Sequence, residues 1–308
     1  MKAVRIHEYG GASVLSYEDA PLPEINQDDV LIKVHASGVN PVDWKVSEGI
    51  RKRNTSFPFI LGWDVSGVID QVGGEVADFK KGDEVYSRPD LTRNGSYSEY
   101  IAVRASEVAL KPKTLNHIEA ASVPLAALTA WQALFTGGNL QAGQKVLLLG
   151  ASGGVGSFAT QFAKWKKATV VAVCSTKNVD FVRSLGADTV IDYSKNKFEE
   201  GDKDFDVVFD IGGDGKSRAW KVTKPGGTLV SITGAPDTND ADAQGKKGVG
   251  FLVAPNQEQL TQIANLIDSN VIKPFVNQVL PLWDARKAQD MLQYGHNLRG
   301  KIVLRVME

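Results

Sequence analysis

A glycine-rich segment in the middle of the chain places the strongest constraint on its fold. The segment GASGGVG at residues 150–156 follows the apolar run 146–149, which is typical of a buried strand, and precedes a helical pattern at 157–166. Glycines let a ligand approach the backbone closely, and the N–H groups at the start of a helix face a bound anion. The segment therefore predicts a strand, loop and helix that bind the pyrophosphate of a dinucleotide.

The same segment also fits a different class of enzyme. Residues 150–154 match the G-x-S-x-G pattern of a hydrolase nucleophile elbow, with Ser152 as the nucleophile. Such an elbow requires an acid and then a histidine downstream, and the only histidine after Ser152 is His296. Gly156 has no role in an elbow, but it would let a helix pack beneath a dinucleotide. An α/β-hydrolase-type esterase is therefore the less favoured alternative.

The two halves of the chain differ in pattern. Up to about residue 122, short β-type runs such as 30–35 and 65–69 alternate with glycine, proline and asparagine turns, which predicts a small β-barrel-like domain. After Pro124 a helix at 125–136 begins an alternation of strands and helices, which predicts a doubly wound parallel sheet. The expected strands of that sheet are 146–149, 170–173, 189–192, 207–210 and 228–232.

The chain closes with a strand-like segment at 301–306. A lone terminal strand needs a sheet partner, so we expect it to return to the N-terminal domain. The predicted organisation is a β-rich domain formed by residues 1–123 and 269–308, interrupted by a Rossmann-type domain at 124–268.

Composition argues against several classes of partner. Lys and Arg number 35 against 36 Asp and Glu, so a net charge of -1 provides no field to hold nucleic acid or an acidic membrane. Cys174 is the only cysteine, and the four histidines lack the spacing of metal ligands. The apolar runs are far shorter than the roughly 20 residues of a membrane span, and the N-terminus lacks a signal-peptide pattern. We expect a cytoplasmic protein with a small-molecule substrate and with no nucleic-acid or membrane partner.

Several short motifs spread along the chain point to one family. They are MKAV at 1–4, ASGVNPVD at 36–43, GWDVSGV at 62–68, GDEVY at 82–86, GSYSEY at 95–100, the glycine loop, and GKIVL at 300–304. Together they resemble the zinc-free quinone oxidoreductases, the zeta-crystallin-like branch of the medium-chain dehydrogenase/reductase superfamily. The resemblance spans nearly the whole chain. It implies a GroES-like β-barrel domain completed by the C-terminal tail, with a Rossmann domain inserted.

The same resemblance implies an activity. Members of this branch transfer hydride from NADPH to quinones or α,β-unsaturated carbonyls, and this is the expected function. A zinc-free alcohol or ketone oxidoreductase of the same superfamily is an alternative, as is a protein that binds NADPH without catalysis. The resemblance also implies a homodimer paired through an edge of the Rossmann sheet, for which the apolar segment 248–253 is the candidate edge strand.

The expected enzyme works without metal. Zinc-containing alcohol dehydrogenases of the superfamily carry a ligand cysteine at the position of Asn40 and a histidine at the position of Trp63, and neither residue here replaces such a ligand. Negative charge that develops on a substrate oxygen then needs hydrogen-bond donors. Asn40 is the first candidate, although it could equally fix the turn before a proline. Tyr97 and Lys45 are the other expected catalytic residues, and Asp43 is expected to be solvated.

The end of the second Rossmann strand predicts the coenzyme. NAD enzymes place an acid there, about 20 residues past the glycine loop, to bind the ribose 2′-hydroxyl. This chain has hydroxyls and a lysine at 175–177 and no acid until Asp180, which favours the 2′-phosphate of NADP(H). With the segments that the resemblance implies, the expected cofactor-binding residues are Thr129, Gly150, Ser152, Gly153, Gly154, Val155, Gly156, Ser175, Thr176, Lys177, Tyr193, Ile232, Thr233, Phe251, Leu252, Val253, Arg299 and Lys301.

Overall fold

The computed structural model describes residues 1–52, 56–213, 215–295 and 299–307, with the backbone alone at residue 241. These residues form two compact units. The first unit contains Met1–Leu128, Ala254–Asn270 and Pro274–Glu308, and the second contains Thr129–Val253 and Val271–Lys273.

The domain boundaries expected from the sequence remain a prediction. They differ from the compact units in one main respect, because residues 254–268 belong to the first unit and not to the Rossmann-type part. None of the helices in the described part of the chain is long and apolar enough to cross a membrane.

Strands and helices in the described residues are numbered in chain order. The strands are β1 (Lys2–Ile6), β2 (Ser16–Asp19), β3 (Asp29–Val39), β4 (Phe59–Ile60), β5 (Val65–Val72), β6 (Glu84–Ser87), β7 (Tyr100–Arg104), β8 (Val108–Leu110), β9 (Lys145–Leu149), β10 (Thr169–Cys174), β11 (Thr189–Asp192), β12 (Phe205–Asp210), β13 (Thr223–Ser231), β14 (Lys247–Gly250), β15 (Val276–Pro281) and β16 (Lys301–Arg305). The α-helices are α1 (Pro41–Ser47), α2 (His117–Ala121), α3 (Pro124–Trp131), α4 (Gly154–Trp165), α5 (Val179–Ser184), α6 (Lys216–Trp220), α7 (Gln257–Asp268) and α8 (Ala285–Tyr294). Short 3-10 turns lie at Ala12–Val14, Ala105–Glu107, Thr176–Asn178, Phe198–Glu200, Ala241–Ala243 and Leu282–Asp284.

Strand β3 organises the first unit because its length lets two strands pair along one edge. Residues 29–33 pair antiparallel with β7, residues 36–39 pair antiparallel with β16, and β5 follows the other edge. Alternate side chains of β3, including Val30 and Ile32, enter an apolar core with side chains of β5, β6, β7 and β8. The prediction that the C-terminal strand returns to the N-terminal domain is therefore confirmed.

The second unit contains a six-stranded parallel sheet in the order β11-β10-β9-β12-β13-β14. If β9 is counted as its first strand, this is the order 3-2-1-4-5-6 of a dinucleotide-binding Rossmann fold. Core residues such as Leu147, Val171 and Val208 are buried, as expected for apolar strands covered on both faces. The predicted doubly wound parallel sheet is confirmed.

Three predicted boundaries differ from the structure, each for a local reason. The helix expected at 125–136 is α3 followed by a π-helical turn at Gln132–Gly137. The helix expected from residue 157 begins at Gly154, because the glycines of the loop already belong to its first turn. The edge strand expected at 248–253 ends at Gly250, since its partner β13 ends at the paired Ser231.

Candidate functional site

The glycine loop joins β9 to α4 in a backbone arrangement that needs its glycines. Gly150 has a φ of 97°, which favours glycine, and the N–H groups of Gly150 and Ala151 both bond to the carbonyl of Val173 at 3.2 and 3.0 Å. A Cβ atom at Gly156 would lie 2.2 Å from the Gly150 oxygen, so α4 packs against the loop only with glycine there. The first-turn N–H groups of α4 have no intrahelical acceptor and can bind an anion.

The position of this loop in the sheet argues against the hydrolase interpretation. The loop follows β9, which is the first strand of the unit along the chain, whereas a nucleophile elbow follows several βα units. The histidine that the interpretation needs, His296, lies outside the described residues.

The end of β10 carries the residues predicted to select the coenzyme. Ser175 is buried, whereas Thr176 and Lys177 are exposed beside it. Tyr193 follows β11 with 59% of its surface exposed, and its N–H donates to the carbonyl of Cys174 at 3.1 Å. The structure therefore brings these four residues to the same edge of the sheet, and their contacts with a coenzyme stay a prediction.

An acid that the sequence analysis missed lies at this edge. Asp192 ends β11 and pairs in register with Cys174 at the end of β10. Its Oδ1 accepts the N–H of Ser194 at 3.0 Å, and the ammonium of Lys195 lies 3.5 Å from its Oδ2. Burial alone would raise the pKa of Asp192, but its neighbours, among them the Ser194 N–H and the ammonium of Lys195, bring it below its usual value.

The remaining predicted coenzyme residues of the second unit lie in three places. Ile232 and Thr233 follow β13, and residues 251–253 follow β14, so both segments are at the carboxyl edge that also holds the glycine loop. Within 251–253, Leu252 is exposed and Val253 is buried. Thr129, in α3, is buried. Contacts of these residues with a nicotinamide ring stay a prediction.

A buried polar cluster occupies the first unit around the ammonium of Lys301. This group donates to the carbonyl of Val39 at 2.8 Å, to Asp64 Oδ2 at 3.0 Å and to Asn40 Oδ1. The amide nitrogen of Asn40 donates to Asp64 Oδ2 at 2.8 Å and to the carbonyl of Gly38 at 3.4 Å. The other oxygen of Asp64 accepts the N–H of Leu125 at 2.6 Å. The cluster therefore ties β16 to β3 and to the start of α3.

Asp43 extends this cluster through the backbone of Asn40. Its Oδ2 accepts the Asn40 N–H and the Tyr97 hydroxyl, both at 2.7 Å, while its Oδ1 is buried without a partner among the described residues. Burial raises the pKa of Asp43 to about 7, although the two hydrogen bonds and Lys301 act in the opposite direction. Burial and the neighbouring Asp43 also raise the pKa of Tyr97 well above its usual value. The expectation that Asp43 is solvated is wrong, since Asn40 and Tyr97 enclose it.

Three residues of the cluster were predicted to contact substrate or coenzyme, and those roles stay predictions. Asn40 is 1% exposed, and its amide hydrogens point at Asp64 and Gly38. Tyr97 is fully buried and donates its hydroxyl hydrogen to Asp43. Lys301 directs its three ammonium hydrogens at acceptors within the protein. These residues position the fold of the first unit.

Two other predicted site residues, Lys45 and Arg299, are accessible to solvent. Lys45 lies half-buried on α1 with its ammonium 5.4 Å from the ring centre of Trp44, and burial together with Arg51 lowers its pKa. Arg299 is exposed. A catalytic role for Lys45 and a phosphate contact for Arg299 stay predictions. Among the described residues no group of three or more His, Cys, Asp and Glu side chains is arranged to hold a metal ion.

Comparison with known proteins agrees with both units. Residues 26–113 match the family model of the alcohol dehydrogenase GroES-like domain, and residues 185–304 match a model described as zinc-binding dehydrogenase. A 2-methylene-furan-3-one reductase of Solanum lycopersicum is 39% identical over 318 residues, covering 99% of this chain and 79% of the relative. An NADPH-dependent alkenal/one oxidoreductase, chloroplastic, of Arabidopsis thaliana is 39% identical over 316 residues with the same coverages.

A solved structure has the same fold over the whole length of this chain. The quinone oxidoreductase from Coxiella burnetii superposes with a TM-score of 0.93 at 31% identity, covering 100% of this chain and 99% of that one. A GroES-like barrel with a Rossmann sheet and a glycine loop defines a class of dinucleotide-dependent oxidoreductases. The chain belongs to the medium-chain dehydrogenase/reductase superfamily. The predicted superfamily and the GroES-like part of the fold are thereby confirmed.

Proposed function

We propose that this protein is an NADPH-dependent, zinc-independent reductase of quinones or α,β-unsaturated carbonyls. The observation that carries the proposal is the end of β10, where Ser175, Thr176 and Lys177 supply two hydroxyls and an ammonium at the edge that also holds the glycine loop. The substrate class is supported by two similar proteins, an alkenal/one oxidoreductase and a quinone oxidoreductase.

Different residues of the second unit bind different parts of the coenzyme. NADPH, when bound, supplies the hydride that reduces the substrate. The N–H groups at the start of α4 bind the pyrophosphate, because they lack intrahelical acceptors and lie at the positive end of the helix. Lys177 and Ser175 bind the 2′-phosphate, and Tyr193 flanks the adenine or the same phosphate. Conjugated substrates suit this protein because the negative charge that develops on them is delocalised, which lowers the demand for strong donors.

The polar cluster of the first unit supports the absence of a catalytic zinc ion. In the zinc enzymes that this family resembles, a ligand cysteine stands at the position of Asn40, and residues 62–64 carry a ligand histidine. Here Asn40 Oδ1 and Asp64 Oδ2 both accept hydrogen bonds from the ammonium of Lys301. A metal ion would have to displace that ammonium, and Trp63 offers no imidazole.

The cellular setting and the assembly form part of the same proposal. A cytoplasmic location agrees with a single buried cysteine, which has no partner for a disulfide within the chain. A homodimer agrees with β14, which is the outermost strand at one edge of the six-stranded sheet.

Coenzyme binding and turnover test the proposal together. Purified protein, treated with a chelator, is titrated with NADPH and NADH and assayed with a panel of quinones and enones. Lys177→Ala removes a charged hydrogen bond worth about 1.5 to 3 kcal/mol, so it should weaken NADPH binding about 10- to 100-fold and barely affect NADH. Cys174→Asp should shift preference toward NADH, because a carboxylate repels the 2′-phosphate and binds the 2′-hydroxyl.

A lysine far along the chain from the coenzyme segment provides the control. Lys221→Ala removes an exposed lysine at the end of α6 and should leave both affinities unchanged. A wild type that prefers NADH would refute the coenzyme assignment. Loss of activity on chelation would refute zinc independence. Tight NADPH binding without turnover of any acceptor would favour a binding protein over an enzyme.

A further inference from the structure

One buried amide joins the two segments that are proposed to bind different phosphates of the coenzyme. Asn178 is 1% exposed, and its amide nitrogen donates to Ser152 Oγ at 3.0 Å and to Ser175 Oγ at 3.2 Å. Ser152 belongs to the glycine loop after β9, and Ser175 directly follows β10. The side chain thus bridges the loop that faces the pyrophosphate and the strand end that faces the 2′-phosphate.

Helix capping does not account for this side chain. Asn178 stands at the N-cap of α5, where asparagine usually accepts a hydrogen bond from the helix backbone, yet its side chain makes no capping bond. Its amide hydrogens go instead to the two serine hydroxyls. A buried primary amide costs free energy unless it is hydrogen-bonded, so the bonds to the two serines help to stabilise it at this position.

The direction of these bonds determines what the two serines can do. A hydroxyl carries one hydrogen and can also accept, whereas an amide nitrogen only donates. Because each serine oxygen accepts a bond from Asn178, its own hydrogen stays available for another acceptor. A phosphate oxygen is such an acceptor, and a hydroxyl already oriented toward it loses less entropy on binding.

We propose that Asn178 is a positioning residue that holds Ser152 and Ser175 as hydrogen-bond donors to the coenzyme. Ser152 donates at the pyrophosphate, which NADPH and NADH share, and Ser175 donates at the 2′-phosphate, which only NADPH carries. Asn178 therefore contributes to affinity for both coenzymes and, through Ser175, to the preference for NADPH. This inference rests on the proposed use of NADPH.

Direct binding of four probes separates these contributions. NADPH and NADH are titrated by their fluorescence, and 2′,5′-ADP and 5′-AMP by calorimetry, so that no readout depends on turnover. Ser175→Ala should weaken NADPH and 2′,5′-ADP about 10-fold and leave NADH and 5′-AMP nearly unchanged. Asn178→Ala should weaken all four, and should also reduce the ratio of NADPH to NADH affinity about 3- to 10-fold.

A double variant tests whether Asn178 acts through Ser175. In the Ser175→Ala background, Asn178→Ala should produce no further change in the ratio of the two affinities, because the hydroxyl that it orients is gone. Asn178→Asp keeps the shape but accepts from both serines, so it should reduce the ratio at least as much as Asn178→Ala. Asn196→Ala, at an exposed asparagine of the same unit, should change neither affinity.

Other outcomes would overturn the inference. Equal weakening of NADPH and NADH by Asn178→Ala, with their ratio unchanged, would indicate a structural role alone. Additive effects in the double variant, or a wild-type ratio in Asn178→Asp, would exclude orientation of Ser175 by the amide. A wild type that prefers NADH would refute the proposed coenzyme instead, and the two failures are therefore distinguishable. Melting temperatures of all variants check that they are folded.

Discussion

At the scale of single residues, Asp43 makes the stability of this protein depend on pH. Its pKa is about 7 in the folded chain, against 3.8 for an ordinary aspartate, because burial disfavours the charged form. Between these two values the folded state binds more protons than the unfolded state, so stability is fully present below about pH 4 and is lost as pH rises toward 7. A difference of about three pKa units corresponds to at most about 4 kcal/mol.

Asp43→Asn tests this dependence because it retains an acceptor for Asn40 and Tyr97 but cannot ionise. Between pH 5 and pH 8 the wild type should lose about 2.5 kcal/mol more unfolding free energy than the variant, measured by urea denaturation. Asp78→Asn, at an exposed position, should keep the wild-type dependence. An Asp43→Asn variant with an unchanged pH dependence would show that Asp43 does not titrate in this range.

Residues whose roles depend on neighbours in sequence could be predicted, and residues whose roles depend on distant partners could not. The glycine loop and the end of β10 are continuous segments, so their patterns are visible in the chain. The Asp64–Lys301 pair joins positions 237 residues apart, and Tyr97 lies 54 residues from Asp43. No local pattern reports such contacts, which is why the sequence did not show that Asn40, Tyr97 and Lys301 belong to one buried polar cluster.

At the scale of elements, the Asp64–Lys301 pair holds three segments of the first unit together. Asp64 accepts from Asn40 just before α1, from Leu125 in the first turn of α3, and from Lys301 in β16. Lys301→Met leaves a buried carboxylate without its cation, and Asp64→Asn leaves a buried ammonium without its anion. Each single variant should lose about 3 to 5 kcal/mol of unfolding free energy in urea denaturation.

The double variant Asp64→Asn with Lys301→Met should lose clearly less than the sum of the two, because neither charge is then left alone. Lys81→Met breaks an exposed ion pair with Asp70 and should lose no more than about 1 kcal/mol. Additive losses in the double variant, or a loss from Lys301→Met as small as that from Lys81→Met, would contradict the interpretation.

Elements with a strong period were predictable, and their ends were not. The apolar runs of β9 to β13 and the spacing of α4 follow directly from burial on both faces or on one. The end of β14 depends on where β13 stops, which is set by pairing and not by the apolar residues 251–253. The approach of Asp192 to Cys174 likewise depends on the register between β11 and β10, so its carboxylate was not expected beside the coenzyme edge.

At the scale of the whole molecule, the order of patterns along the chain was enough to predict the fold class. A β-rich part, an α/β part and a returning strand permit few arrangements, because the last strand needs a sheet edge and β3 provides one. The placement of 254–268 was not visible in this order. That segment carries an amphipathic helix, α7, and its side chains alone do not tell which of two sheets the apolar face covers.

The proposed homodimer can be tested through the exposed edge of the Rossmann-type sheet. Strand β14 pairs with β13 on one side, and the described residues contribute no strand to its other side. Leu252, two residues beyond it, is 50% exposed in the single chain, as expected for a side chain that a second copy would cover in the dimer.

In sedimentation at micromolar concentration the wild type should be a dimer. Leu252→Asp should shift it toward monomer, because dimerisation would bury a carboxylate without a partner. Leu22→Asp changes a leucine of similar exposure, 58%, in the first unit, and should remain dimeric. A monomeric wild type, or a Leu252→Asp variant as dimeric as Leu22→Asp, would rule out this edge as the interface.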